Sequence, residues 1–472
     1  MPVVTRLPIY SSESYSHTWE MSATTYDCIV IGAGYAGLSA ARALLDKGKS
    51  VLLLEARDRV GGRAWTKHFD DGSYEDYGAM FLGVEQPNMH RLAAEFNISV
   101  FDVTTKGKSV LTYRGRSKSY SPTGLPPLSA VSLLFLARAV RSFEELCKTV
   151  DLEEPWKTPR AHELDNQTIE QWIRANCWTK GARDTLRMAF ELFWGLGTSQ
   201  VSLLHALWYS KSGVSFTVLG TIDEGAQKEL VIGGGQAIAN ALAKYLGRAV
   251  HLEEPVVQID QQSESCVLVK TTKSTYQAAR IIVAVPQANI LRLEFSPPLP
   301  PQKMKLLQNM PTGQYWKIVA MYDSPFWRNN GLRGEAICPD GYMALINDVS
   351  PHDSRYGMLV AFIAASKAMA FLDMDDEQRR KILLRELELN YGKEAAHPNK
   401  LTMHTMMAEE WSTGCPVAAP TPGTWTSMGH WIRKPVDRVH WAGTETSSVW
   451  SGYMEGAVES GLRAADEVLK AL

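Results

Sequence analysis

The stretch YDCIVIGAGYAGLSAARALLDKGKSVLLLEARDRVGGR, residues 26–63, limits the fold more than any other part of the chain. The apolar run Cys28–Ile31 reads as a buried strand, and Gly32, Gly34 and Gly37 follow it at GxGxxG spacing. Leu38, Ala41, Leu44 and Leu45 then recur at helical intervals, and a second apolar run, Val51–Leu54, ends in Glu55. That is a complete βαβ unit of roughly thirty residues, the start of a Rossmann-like α/β domain. Gly32 permits the tight turn, Gly34 lets a pyrophosphate approach the backbone, and Gly37 lets helix and strand pack closely. The helix N-terminus offers free N–H groups and a positive dipole end. Glu55, at the tip of the second strand, is placed to accept hydrogen bonds from both ribose hydroxyls and disfavours a 2′-phosphate. A dinucleotide, FAD or NAD rather than NADP, is the expected ligand.

ARDRVGGR (56–63), just beyond, adds a second glycine pair and three arginines, Arg57, Arg59 and Arg63, of which Arg63 is the best placed for a phosphate. This extended pattern resembles the FAD-binding start of the flavin amine oxidases rather than a nicotinamide dehydrogenase, which implies FAD. Near the other end, HWAGTETSSVWSGYMEGAVESGLRAADEVL (440–469) reads as a strand over Val439–Ala442, a polar loop and a helix that opens on small residues. N–H groups around Gly452 to Gly456 would face negative charge developing on a flavin. Glu445, in the loop, is a candidate partner of the ribityl chain or of a phosphate-bound water, or a carboxylate satisfied by backbone.

With 472 residues the chain is long enough for two domains. A net charge of −2 advertises no nucleic-acid surface. Six cysteines without CxxC spacing argue against a disulfide framework and a zinc site. Residues 1–23 are polar, lack an apolar signal core and read as a flexible arm. LPPLSAVSLLFLARAV (125–140) is too short and interrupted to span a bilayer, and reads as a buried or half-buried helix, with a partner-docking or membrane-surface helix as the alternative. No integral membrane span is expected, and the protein reads as soluble and intracellular, cytoplasmic or in another such compartment.

Together these segments resemble the flavin-containing monoamine oxidase family over about residues 25–470. DEGAQKELVIGGGQ (223–236), EPVVQID (254–260), IIVAVP (281–286) and KIVAMYDSPFWR (317–328) follow in the family's order. The resemblance implies a Rossmann-like FAD-binding domain assembled from 24–100, 232–306 and 409–472. A substrate-binding domain of mixed sheet and helices takes 101–231 and 307–408. The helical periodicity of 130–149 and 376–391 fits its roof. Cofactor positions implied are Gly32, Gly34, Ala36, Gly37, Glu55, Ala56, Arg57, Gly62 and Arg63, then Gly78, Ala79, Met80, Phe81 and Val256. Cys415, Gly443, Glu445, Tyr453 and Met454 complete them. A homodimer is a common family state; no interface is readable from the chain.

The implied reaction is oxidative deamination of a primary amine, with dioxygen reduced to hydrogen peroxide and the imine hydrolysed to a carbonyl and ammonia. By the resemblance, Lys317 holds a water against flavin N5, Tyr453 is one wall of an aromatic cage, and Gln227 lines the cavity beside the flavin. Cys415, in WSTGC, matches the cysteine that bonds the flavin 8α-carbon as a thioether. The chain departs from the pattern at Pro416, where many members carry the second cage aromatic, with Trp411 and Trp425 as candidate substitutes. Met406 stands near a frequent tryptophan, and Gly220 near a bulky gate residue. Fewer bulky groups imply a cavity open to long or bulky amines, sphingoid-like amines and amino-polyols of the fumonisin type among them. The alternatives are a polyamine or L-amino-acid oxidase of the same superfamily, or a redox-inactive flavin-bearing interaction protein.

Overall fold

The computed structural model describes residues 21–472; the arm expected over 1–23 falls, through residue 20, outside the described residues. The opening βαβ unit forms as the spacing predicts, with strands Met21–Ile31 and Val51–Leu54 flanking helix Tyr35–Leu45. Both strands are parallel neighbours, Ile29 lying opposite Leu52 on one side and Ile281 on the other. Every residue of Val51–Leu54 is buried, as in a sheet covered on both faces. This sheet has eight strands, and Val250–His251, Val256–Asp260, Val267–Thr271, Thr275–Val283, Glu294–Ser296 and Val439–Trp441 complete it. The nine-residue strand Thr275–Val283 branches it: an antiparallel hairpin pairs with its first half, and Val439–Trp441 runs parallel to its second.

Helix Met454–Ala471 packs across Tyr35–Leu45 on one face of that sheet. The crossing is close because Gly461 has no side chain: a Cβ there would lie 2.1 Å from the Ala36 carbonyl oxygen.

A second sheet, of seven strands, runs in the order Lys400–His404, Tyr315–Tyr322, Gly357–Ala364, Leu345–Asp348, Leu332–Ile337, Lys108–Tyr113, Arg116–Tyr120. Only the pairing of Leu332–Ile337 with Lys108–Tyr113 is parallel. The register sets His404, Lys317, Phe362, Leu345 and Ile337 side by side across five strands. Opposite residues share a face, so this row forms one floor.

Helices Ala130–Lys148, Ile169–Asn176, Lys180–Trp194 and Leu203–Ser212 build a core rich in aromatic rings, including Phe143, Trp172, Phe190, Trp194 and Trp208. Ser129, Thr168, Thr179 and Ser202 cap them through side-chain oxygens. The segment 125–140 buries less than its hydropathy suggests. Leu125, Val131 and Leu134 are 75%, 55% and 68% exposed. Only Ser132, Ala139, Phe143 and Cys147 of the helix are buried, a narrow stripe at helical spacing. Helix Asp376–Tyr391 starts on an Asp375–Gln378 capping box. Among the described residues, no helix is long and apolar enough to cross a membrane.

Candidate active site

A cavity of about 1100 Å³ joins the end of the first sheet to the floor of the second. Its nucleotide end is made by the βαβ unit. Gly32, Gly34, Ala36, Glu55, Ala56, Arg57 and Gly62 line it, with Val256 from a neighbouring strand. Gly37 does not reach the cavity; a Cβ there would sit 1.9 Å from the Gly32 carbonyl oxygen, so the glycine holds helix against strand. At Gly34 a Cβ would meet nothing within 4 Å, which leaves the backbone open to a ligand. Helix Tyr35–Leu45 has no side-chain cap at Gly34, so its first N–H groups remain for an anion. Glu55 accepts from the N–H groups of Ala33 (2.7 Å) and Arg57 (2.9 Å), which fixes the carboxylate at the strand tip. Arg57 donates to Ser412 Oγ at 2.7 Å, and Arg59 lies over the Trp65 ring. A dinucleotide fits this cradle.

Arg63 lines the cavity and has partners within the chain. It forks onto Glu445 (2.6 and 3.1 Å) and donates to the Pro416 carbonyl at 2.9 Å. Burial pulls its pKa down, but the Glu445 carboxylate overcomes that and leaves it raised. Glu445, which also accepts from the Ala418 N–H, does not line the cavity. The ion pair therefore fastens the Cys415–Pro416 segment to the dinucleotide loop.

In the middle of the cavity, Cys415, Lys317, Tyr453 and Gly78 to Phe81 converge from four separate segments. Lys317 Nζ donates to the Gly78 carbonyl at 2.5 Å and lies 3.2 Å from Met80 Sδ. Burial pulls its pKa down from 10.5 to about 8, against the opposing pull of Asp76 and Cys415. An ammonium has three donors, so one remains for a water. Burial pushes the Cys415 thiol up to about 11, while Lys317 and Arg63 oppose it. Tyr453 packs edge-on to Trp450 and 6.3 Å from Tyr209, and burial raises the pKa of both phenols, which stay neutral. Gly443 and Met454 also face the cavity, and helix Met454–Ala471 opens there without a side-chain cap.

The remaining branch lies over the row Lys317–Phe362–Leu345–Ile337. Gln227 lines it and donates to the Leu219 carbonyl at 3.0 Å. Gly220 lines it too, and a Cβ there would meet nothing closer than 3.6 Å, so a side chain has room. Met406 and Pro416 line the cavity. Of the two proposed ring substitutes, Trp425 is excluded: it lies in the helical core, donating to His205 Nδ1 at 3.2 Å and packed on Trp208. Trp411 does line the cavity, with Arg292 over its ring at 4.8 Å, next to the Ser412 that Arg57 holds at the nucleotide end. Tyr315 and Phe362, tilted rings 5.6 Å apart, give the branch an aromatic wall that the sequence reading missed.

The sequence profile described as flavin containing amine oxidoreductase matches residues 35–469. The chain belongs to this flavin-containing amine oxidase family. A Mycobacterium tuberculosis protein assigned as a flavin-containing monoamine oxidase, AofH, is 38% identical over 444 residues, covering 94% of this chain and 96% of its own. Amine oxidase B of Cavia porcellus, a flavin-containing enzyme, is 35% identical, covering 94% and 86%. The structure of cyclohexylamine oxidase from Brevibacterium oxydans superposes with a TM-score of 0.91 at 30% identity, covering 95% and 99%. The chain is thus an oxidoreductase whose family cofactor is FAD, and its βαβ cradle fits that group.

Several cavity residues of this amine oxidase carry no motif. His404 stacks on Tyr77 at 4.6 Å beside Lys317, and burial lowers its pKa to about 4. Tyr315 and Tyr209 come from a strand start and a helix with no distinctive pattern. Strand alternation alone offers a signal for Tyr315, since it shares the face of Lys317.

Proposed function

We propose that this chain oxidises primary amines, including long or bulky ones, to imines that hydrolyse to carbonyl compounds and ammonia, with dioxygen reduced to hydrogen peroxide. The observation that carries this is the meeting of Lys317, Cys415 and Tyr453 in one cavity with the dinucleotide cradle. When bound, FAD accepts two electrons and a proton equivalent from the amine α-carbon and delivers the electrons to dioxygen. The chain's own residues orient and enclose. Tyr453 and the Tyr315–Phe362 wall exclude water and hold the amine nitrogen in line. Lys317, held by Gly78 and Met80, turns its remaining N–H to a water beside the cofactor. Gln227 supplies a polar contact at the branch.

The proposal takes the FAD-binding domain as 24–100, 232–306 and 409–472 and the substrate domain as 101–231 and 307–408. The two large sheets support it, since neither borrows a strand from the other's segments, while a small three-stranded sheet of Phe81–Leu82, Glu229–Val231 and Val100–Asp102 bridges the boundary. The cofactor positions proposed are those set out from the sequence, with Gly37 and Glu445 acting from behind the cavity wall. Cys415 forms a thioether to the flavin; it lines the cavity in the segment that Arg63 and Glu445 tie down. A homodimer in an intracellular compartment completes the reading. The openness at Gly220 supports long amines, and the cavity's three arginines disfavour an amino acid substrate: Arg63 is paired with Glu445, Arg57 with Ser412, and Arg292 covers Trp411.

The test is a panel of amines, from benzylamine to long-chain alkylamines, scored anaerobically for bleaching of the visible flavin band and aerobically for peroxide. Bleaching and peroxide with alkylamines are expected. Turnover of benzylamine but of no long-chain amine removes the substrate claim, and no bleaching by any amine removes the activity.

A further inference from the structure

Beyond the reactive centre, one polar pair sits on the otherwise apolar floor of the branch. Strand Leu332–Ile337 pairs with Leu345–Asp348 so that Ala336 faces Ile346 and Ile337 faces Leu345. Continued one residue past Ala336 and Ile346, where the ladder ends, this register brings Glu335 towards Asn347, one step along from the row that begins at Lys317, and both line the cavity. Strands lie about 4.8 Å apart and alternate residues about 6.7 Å, which sets Asn347 at roughly 12 Å and Glu335 at roughly 16 Å from Lys317.

Asn347 is 1% exposed, and neither its amide nitrogen nor its amide oxygen has a hydrogen-bond partner. Buried amides of this kind are rare unless something else satisfies them. Glu335, beside it, accepts from Ser109 Oγ and lies 3.6 Å from Arg333 Nε, so its charge is already countered. Arg333 is in turn shared with Asp223 at 2.9 Å. The missing partner must therefore both donate and accept. A hydroxyl does both; an ammonium only donates, and would leave the Asn347 N–H groups unmet.

We infer that Asn347 and Glu335 form a second subsite, which takes a hydroxyl on the far part of an elongated aliphatic amine whose nitrogen lies at the flavin. At this separation the intervening chain has roughly ten carbons, given C–C bonds of about 1.5 Å. The inference rests on the amine oxidase reading and adds the chemistry of the substrate's other end. Asn347 donates an N–H to the hydroxyl oxygen, the single hydroxyl proton is shared between the Asn347 amide oxygen and the Glu335 carboxylate, and the Phe362–Leu345–Ile337 row covers the chain between. A group recognised there before and during reaction alike lowers KM and leaves kcat nearly unchanged.

The experiment compares decylamine, its ω-hydroxyl analogue and its ω-amino analogue as substrates of the holoenzyme, with benzylamine alongside. The hydroxylated amine is expected to show a KM about tenfold below that of decylamine at similar kcat, a difference of about 1.4 kcal/mol. In Asn347→Leu the ratio of the two kcat/KM values should fall to about one, and in Glu335→Gln it should shrink. Equal KM values in the unaltered chain overturn the subsite, whether or not the variants fold. So does a ratio unchanged in Asn347→Leu, or a preference for the ω-amino analogue over the hydroxylated one. Turnover without discrimination between decylamine and its hydroxylated analogue sinks the subsite alone, whereas no turnover of any of the four carries the amine oxidase reading down with it.

Discussion

At Cys415 the sequence poses a question of chemistry and the fold poses one of charge. A thiolate is the nucleophile in thioether formation, yet burial holds this thiol up at about 11, with Lys317 and Arg63 pulling the other way. Burial thus opposes the thiolate, and the Lys317 and Arg63 charges are what favour it; with those charges beside the seated cofactor the tether is expected to form, and acid precipitation should keep the yellow colour with the protein. Cys415→Ser should release it to the supernatant; colour retained in that variant refutes the linkage. Lys317 gives a second residue-level prediction. Its ammonium loses its proton near pH 8, so a reoxidation rate that needs the charged form falls as pH rises through that value. Lys317→Met should slow reoxidation by dioxygen, about 100-fold in the range seen for removal of one electrostatic donor, and abolish the inflection, while flavin reduction by amine changes less. Stopped-flow measurement of both half-reactions separates them, and an unchanged oxygen rate rules the role out.

At the scale of elements, two helices aim uncapped N-termini at the same cavity, Tyr35–Leu45 and Met454–Ala471. The roof helices, by contrast, start on Ser or Thr caps that use up their own orphan N–H groups. Leaving the first turns free suits a ligand that is anionic at its pyrophosphate and gains negative charge on reduction. The geometry depends on close packing at Gly37, where a methyl group would fall 1.9 Å from the Gly32 oxygen. Gly37→Ala should force helix and strand apart, costing about 1–3 kcal/mol, and yield protein with little bound flavin. Gly220→Ala, with nothing nearer than 3.6 Å, is the matched control and should keep its flavin. Absorbance per chain after purification decides; equal flavin content in both would show that helix–strand packing does not limit binding.

For the whole molecule, the buried aromatic core carries a pH liability away from the cavity. His205 sits among Trp194, Trp208, Tyr209 and Trp425, and burial alone lowers its pKa from 6.5 to about 3. Between those values the unfolded chain binds a proton that the folded chain does not. Stability therefore rises with pH across this window, and is lost on acidification from 6.5 towards 3 by up to about 1.4 kcal/mol per pH unit. His205→Phe removes the titrating group. It should cost about 1 kcal/mol at neutral pH through the lost Trp425 hydrogen bond, and it should flatten the acid limb of the melting temperature. A variant whose melting temperature falls with acid as steeply as the parent's would refute this.

The local βαβ unit was legible because glycine spacing, helical periodicity and a terminal acid all act within forty or so consecutive residues. The family followed from several such segments in one order. Lys317, Cys415 and Tyr453 were legible only through that resemblance, and their common cavity depends on contacts between residues far apart in the chain. Trp425 shows the limit: its nearness to Cys415 in sequence suggested the cavity, whereas packing on His205 and Trp208 took it into the core. Arg63 meets Glu445 across 382 positions, a pairing no spacing rule predicts. Sequence determined which elements form, because propensity and periodicity are local. Tertiary structure alone decided which side chains share the cavity, because cross-strand register and helix crossing set distances between residues that the chain holds apart.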